Sequence, residues 1–327
     1  MKRSTSLVWM GVHVACAAGT YVCSKLAADG FPSPESLTLA RALGATLLLL
    51  LLTGTAIPKP DFDGPTWLKL FLLGILQVPI NQYLFLRGLR STAPGHSALL
   101  YALTPMVVLL ITAARARAWP PRRMVSGVVV ALAGAVVVLR PWEQGEAARS
   151  MRSGDLWILA AVFAWAIYTV AVRDLVRRHD PRAIAAWNLI LGSLAMMPFG
   201  AAALRSLDWR AISGAAWFGL VFMAAVTSVL MNLLWGVLLR ALQPVEVTIC
   251  MNAQPPATAA LQWALQAQLV AWGIPFHAEP LGARFVVGMA LVLCGVVLVN
   301  WRPRPWLVTG ADVENAGEEG AGRRMGG

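Results

Sequence analysis

The chain has 327 residues, of which 58% are hydrophobic and 13% charged. That balance argues against a soluble fold, and the repeated apolar runs of about 20 residues match the length a helix needs to cross a bilayer core of about 30 Å. The formal net charge of +11 does not point to nucleic acid, because the arginines cluster between apolar runs, where they anchor loops.

Ten candidate spans follow in chain order: 7–28, 35–53, 66–86, 94–114 and 123–139, then 154–172, 182–203, 214–239, 244–266 and 283–301. Val14-Ala15-Cys16 faintly resembles a lipoprotein processing site, but the apolar run continues to Ala28, so a retained first helix is expected. Cys16, Cys23, Cys250 and Cys294 all fall within apolar runs and no CxxC pair occurs. They read as small buried side chains, with neither a disulfide framework nor a zinc site indicated. Residues 140–153 are polar and read as a linker between halves 1–139 and 154–304. The tail 305–327, rich in Gly and charge, is expected to be disordered.

With the N-terminus in the cytoplasm, the RARAWPPRR loop (115–123) and the VRRHDPR loop (176–182) fall inside, which favours cytoplasmic termini. Arg140, Arg149 and Arg152 vote the other way, partly offset by Glu143, Glu146 and Asp155.

Shifting the second half back by 150 positions places Trp217 on Trp67, Leu234 on Leu84, Leu239 on Leu89 and Arg240 on Arg90. It also places Pro244 on Pro94 and Pro255 on Pro105. Each half holds an odd number of spans, so the copies would enter the membrane from opposite sides, as inverted repeats of secondary transporters do. Pro94 and Pro244 start helices, where no donor is lost. Pro105 and Pro255 sit mid-span, where each removes a backbone hydrogen bond and bends the helix. The freed carbonyl must then find a partner in protein or in a wet cavity.

The segments GHSALLYALTPMVVLLITA, AGTYVCSKLA, LTLARALGA and FAWAIYTVAVRDLVRR resemble the fourth, first, second and sixth helices of the ten-helix EamA-type branch of the drug/metabolite transporter superfamily. The resemblance extends from about Leu7 to Trp301 and is nearly silent on substrate. Ala18 departs from it, standing where a Trp is common, as do Glu246 and the Pro255-Pro256 pair. It implies an all-α integral membrane protein of ten helices in two inverted five-helix repeats, in a bacterial inner membrane.

Polar residues within the spans give candidate substrate contacts. Thr248, Asn252, Pro255, Ala259 and Gln262 recur at helical spacing in the ninth span. Ser97, Tyr101, Thr104 and Pro105 form a comparable stripe in the fourth. Gln77 and Asn81 lie one turn apart in the third, as do Ser228 and Asn232 in the eighth; Tyr168 lies in the sixth. Small polar residues also glue helices together; as a set, from spans the family uses around its cavity, they favour substrate contact. Lys25 is a candidate anion contact, although snorkelling to the interface is the cheaper account of it and of Arg41. Glu246 reads as a helix-start carboxylate, His96 as an interfacial polar residue and His13 as a hydrogen-bonded helix contact.

The expected function is a secondary transporter of a small, amino-acid-like metabolite, export favoured, with a small-molecule substrate and the lipid bilayer as partners. No cofactor, metal or catalytic residue is expected, and no GxxxxGK[ST] loop suggests ATP. The alternatives are a membrane-embedded enzyme acting on lipid-linked substrates, for which no HExxH, GxSxG or paired-carboxylate motif appears, and a non-transporting receptor or scaffold.

Overall fold

The computed structural model describes residues 3–53, 62–117, 121–139, 146–242, 244–271 and 282–300. They form helices throughout, with no strand among the described residues. In chain order the helical segments are α1 (Arg3–Gly30), α2 (Pro34–Thr53), α3 (Gly64–Leu89), α4 (Pro94–Arg115), α5 (Arg122–Leu139), α6 (Glu146–Arg178), α7 (Pro181–Arg205), α8 (Gly214–Ala241), α9 (244–271) and α10 (Ala283–Asn300). Stretches within α2, α3, α4, α6, α7 and α8 are long and apolar enough to cross a membrane. Large apolar side chains such as Leu51, Leu52 and Phe199 stay exposed, as a bilayer-facing surface would have them. The chain is a multi-pass membrane protein.

Helix starts carry conventional caps. Asp63 accepts from the backbone N–H of Thr66 at 3.1 Å ahead of Pro65. Asp180 accepts from Arg182 N at 2.8 Å ahead of Pro181, and Ser213 from Ala216 N at 3.3 Å. These bonds satisfy amides that the first turn leaves without intrahelical partners. The expected linker is shorter than its composition suggested, since α6 already begins at Glu146. Residues 140–145, the 305–327 tail and the side chains of Glu246 and Cys250 lie outside the described residues.

Four helices depart from regular α geometry. In α3 the backbone widens into a π-helical stretch over Leu76–Gln82, which contains Pro79. In α8 a second such stretch covers Met223–Leu230. In α4 the helix stops at Tyr101, turns through Ala102 and Leu103, and restarts at Thr104 with Pro105 in its first turn. The Tyr101 carbonyl that Pro105 cannot serve accepts instead from Thr104 Oγ1 at 2.6 Å. In α9 a short α-helical turn (Pro244–Thr248) tightens into a 3-10 turn over Ile249–Ala253, and the α-helix resumes at Gln254, just before Pro255.

Helix packing pairs the two halves. α5 lies along α10 and α2 along α7; α1 packs on α8 and α9, while α6 packs on α3 and α4; α2 meets α8, and α7 meets α3. Glycines permit the closest approaches. A Cβ at Gly88 would sit 2.7 Å from Gly154 O, and one at Gly295 would sit 2.5 Å from Ala131 N. Lipid supplies no hydrophobic drive between helices, so such backbone-to-backbone packing is what holds them.

Candidate functional site

A cavity of about 90 Å³ opens where seven of these helices meet. α1 supplies His13, Ala17, Thr20 and Tyr21, and α2 supplies Arg41. α3 adds Gln77, Asn81, Gln82 and Phe85, mostly from its widened stretch. Tyr101 comes from the end of the first part of α4, and Trp165 from α6. Thr227 comes from the widened stretch of α8, Met231 and Asn232 from just beyond it, and Met251 and Gln254 from the tight turn of α9 and its exit. The irregular backbone of the fold therefore gathers at the cavity, where π-helical turns and helix breaks often serve function.

The polar wall is wired across helices. Asn188 of α7 donates to Tyr168 Oη at 3.2 Å and to Gln77 Oε1. Gln77 Nε2 donates to Asn232 Oδ1 at 2.5 Å, and Asn232 Nδ2 to Ser228 O at 2.8 Å. Arg41 Nε donates to Ser228 Oγ at 2.9 Å. One chain of bonds thus runs from α6 and α7 through α3 and α8 to α2. On another side, Asn81 Nδ2 donates to Tyr101 Oη at 3.1 Å and to Ala161 O at 2.7 Å, and Tyr21 Oη donates to Gln254 Oε1 at 2.9 Å. Thr20 and Thr227 hydroxyls share a bond at 2.7 Å. Tyr21, Phe85 and Tyr101 meet edge to face, with centroids 5.7–6.0 Å apart. Such a wall, aromatic and amide with few mobile groups, suits a small molecule with a polar and an apolar part.

Of the residues singled out from sequence, the structure brings Gln77, Asn81, Tyr101 and Asn232 together in the wall. Tyr168 stands behind it, bonded to Asn188 and stacked on Trp165 at 5.2 Å. Thr248 is buried and donates to Pro244 O at 2.9 Å. Asn252 is half-buried outside the wall, and its Oδ1 meets no partner among the described residues. Lys25 is away from the cavity, held by the carbonyls of Leu89 and Arg90 and by Asp29 at 2.9 Å. Snorkelling does not describe Arg41, which is 4% exposed and turned inward. His13 also lines the cavity, 5.0 Å from the Trp235 ring, but its Nδ1 has no hydrogen-bond partner among the described residues. His96 is buried, 3.3 Å from Asp155 Oδ2, and Asp155 is buried in turn with Thr92 donating to it.

Sequence reasoning did not single out Tyr21, Phe85, Trp165, Met251 or Gln254. One signal could have found part of the wall. Under the shift of 150, Gln77 falls on Thr227, Asn81 on Met231, Gln82 on Asn232 and Tyr101 on Met251, and all eight line the cavity.

The model of the EamA-like transporter family matches residues 4–140 and again 152–301. The chain is 24% identical over 276 residues to the uncharacterized transporter YyaM of Bacillus subtilis, covering 83% of this chain and 86% of that one. An uncharacterized transporter of Archaeoglobus fulgidus is 26% identical over 273 residues, covering 82% and 89%. The uncharacterized inner membrane transporter YicL of Salmonella typhimurium is 23% identical over 278 residues, covering 82% and 85%. A solved crystal structure shares the fold with a TM-score of 0.62 at 18% identity, over 93% of this chain and 99% of that one. This chain is a membrane transporter of the EamA-like family, within the drug/metabolite transporter superfamily.

Proposed function

We propose that the protein moves a small, amino-acid-like metabolite across a bacterial inner membrane by alternating access, with export as its working direction. In this reading all ten helical segments span the bilayer, as two inverted five-helix repeats with both termini in the cytoplasm. The four pairs of cavity positions related by the shift of 150 carry the reading. They support a site built from equivalent parts of two copies, which is the arrangement that lets a midplane site face either side when the copies exchange conformations. The reciprocal packing of α1 on α8 and α9, and of α6 on α3 and α4, supports the same view.

Gln77, Asn81, Tyr101 and Asn232 contact the substrate in this proposal, and Pro105 and Pro255 mark the backbone breaks that rearrange. Tyr168 acts from behind through Asn188. The test is counterflow in proteoliposomes carrying the purified full chain. Vesicles preloaded with a mixture of unlabelled amino acids should take up labelled members of that mixture transiently above equilibrium. Absence of counterflow for every member would overturn the amino-acid-like substrate. Chemical conversion of a member would instead favour an enzyme.

A further inference from the structure

We propose that Arg41 holds a carboxylate of the transported molecule, so that the site selects small monocarboxylates or zwitterions. This rests on reading the central cavity as the transport site.

The argument begins with position. Arg41 lies seven residues into α2 from Pro34, about 10 Å along the axis at 1.5 Å per residue. It is 4% exposed and faces the cavity. Guanidinium stays charged in proteins and offers five N–H donors. Among the described residues one donor is used, Nε to Ser228 Oγ at 2.9 Å. No described carboxylate pairs with Arg41. Glu35, the acid on the same helix, is engaged by Tyr83 Oη at 2.9 Å.

None of the other described lining residues can neutralise it. They offer amides, hydroxyls, aromatic rings, methionines and alanine, with His13 able to add positive charge but never negative. A buried cation without a counter-ion is costly, whereas one met by an oxyanion forms a strong charge-assisted pair. The charge that completes this site must therefore arrive with the substrate.

A carboxylate fits better than a phosphate. The two Nη groups form a planar fork that matches two coplanar oxygens. A phosphate dianion would bring two charges to one cation. The cavity of about 90 Å³ is several times the roughly 10–15 Å³ that one water needs by the same measure, room for an acid group and a short carbon frame. The rings of Tyr21, Phe85 and Tyr101 can receive that frame, or an ammonium over a ring face.

The experiment measures melting of the purified full chain in detergent with the standard amino acids and short-chain monocarboxylates, each paired with its primary amide, and with inorganic phosphate. We expect one or more acids to raise melting and their amides to have no effect. In Arg41→Gln the affinity for those acids should fall about 100-fold, in line with loss of one partner of a buried charge pair. Arg41→Lys, which keeps the charge but loses the fork, should fall between. The unliganded Arg41→Gln protein should melt at or above the parent, because it no longer buries an unpaired charge; a merely structural arginine would lower it.

Acids and amides acting alike, in parent and variant, would overturn the role of Arg41 while leaving counterflow to judge transport. Stabilisation by phosphate alone would overturn the carboxylate, and so would no stabilisation by any acid. If Arg41→Gln fails to fold, the acid-against-amide comparison on the parent chain still decides.

Discussion

Gln77→Leu tests whether the amide chain through the cavity wall is one coupled unit. The substitution removes two interhelical bonds, the one from Asn188 and the 2.5 Å bond to Asn232 Oδ1. The damage is partly contained. Asn188 keeps Tyr168 Oη at 3.2 Å, and Asn232 Nδ2 keeps Ser228 O at 2.8 Å. Asn232 Oδ1 is the acceptor left without its Gln77 donor. In a soluble core an orphaned polar group costs about 1–3 kcal/mol. Interhelical bonds in membrane proteins average about 0.6 kcal/mol, because the unfolded state in the membrane also finds partners. Two such bonds give a predicted loss of about 1–2 kcal/mol. Reversible unfolding by SDS titration in mixed micelles measures it. The same titration on Asn188→Leu and on the double variant closes a cycle, and residues in one network should show coupling of about 0.5 kcal/mol or more. A loss below about 0.3 kcal/mol, or additive effects in the cycle, would refute the idea of a continuous chain.

Four further outcomes follow from named contacts. Gly154→Ala would put a Cβ 2.7 Å from Gly88 O and 3.0 Å from Thr92 N, all rigid backbone, and should cost about 1–3 kcal/mol; Gly64→Ala, with open space around it, should melt like the parent. Pro105→Ala and Pro255→Ala restore an amide donor at each break, and should insert normally yet lose turnover more than binding; unchanged transport in the double variant would leave both prolines as packing features. Tyr101→Leu should abolish counterflow in a protein that still folds, whereas Asn252→Leu, which removes a carboxamide oxygen without a described partner, should leave transport intact and stability equal or higher. Reporter fusions after Arg117 and after Arg178 should both read cytoplasmic, and a periplasmic signal from either would overturn the proposed orientation.

Helix existence was legible because bilayer length and apolar runs leave little choice of secondary structure. Helix ends were read closely where a proline or cap marks them, as at Pro94, Pro181 and Gly214. The start of α6 was not, because 146–153 is polar and its helix is continued from the apolar stretch behind it rather than declared by its own composition. Polar pairs across helices were equally hidden. Nothing local to Asp155 predicts a partner at His96, 59 residues earlier, and a polar residue near a span end reads as interfacial until packing closes over it.

The wall of the cavity shows where periodicity stops helping. Tyr101 and Asn252 each precede a proline by about one turn, but the intervals differ: four residues to Pro105 and three to Pro255. On a regular helix one residue is about 100° of rotation, enough to move a side chain from the cavity to the flank. The shift of 150 places Tyr101 on Met251 instead, and Met251 faces the cavity while Asn252 does not. A polarity search passes over Met251, since methionine in a span reads as core. The repeat is the better guide because packing conserves the direction a position faces more strictly than its chemistry. Gln77 opposite Thr227 and Asn81 opposite Met231 follow the same rule: equivalent directions, unlike side chains. That inequality has a consequence for transport. Two copies can exchange conformations only if their backbones are alike, but a site that holds an asymmetric molecule needs walls that differ. Among the described lining residues the single permanent charge, Arg41, has Leu191 as its repeat counterpart, so a carboxylate held there as proposed would stay with one helix while the copies trade places around it.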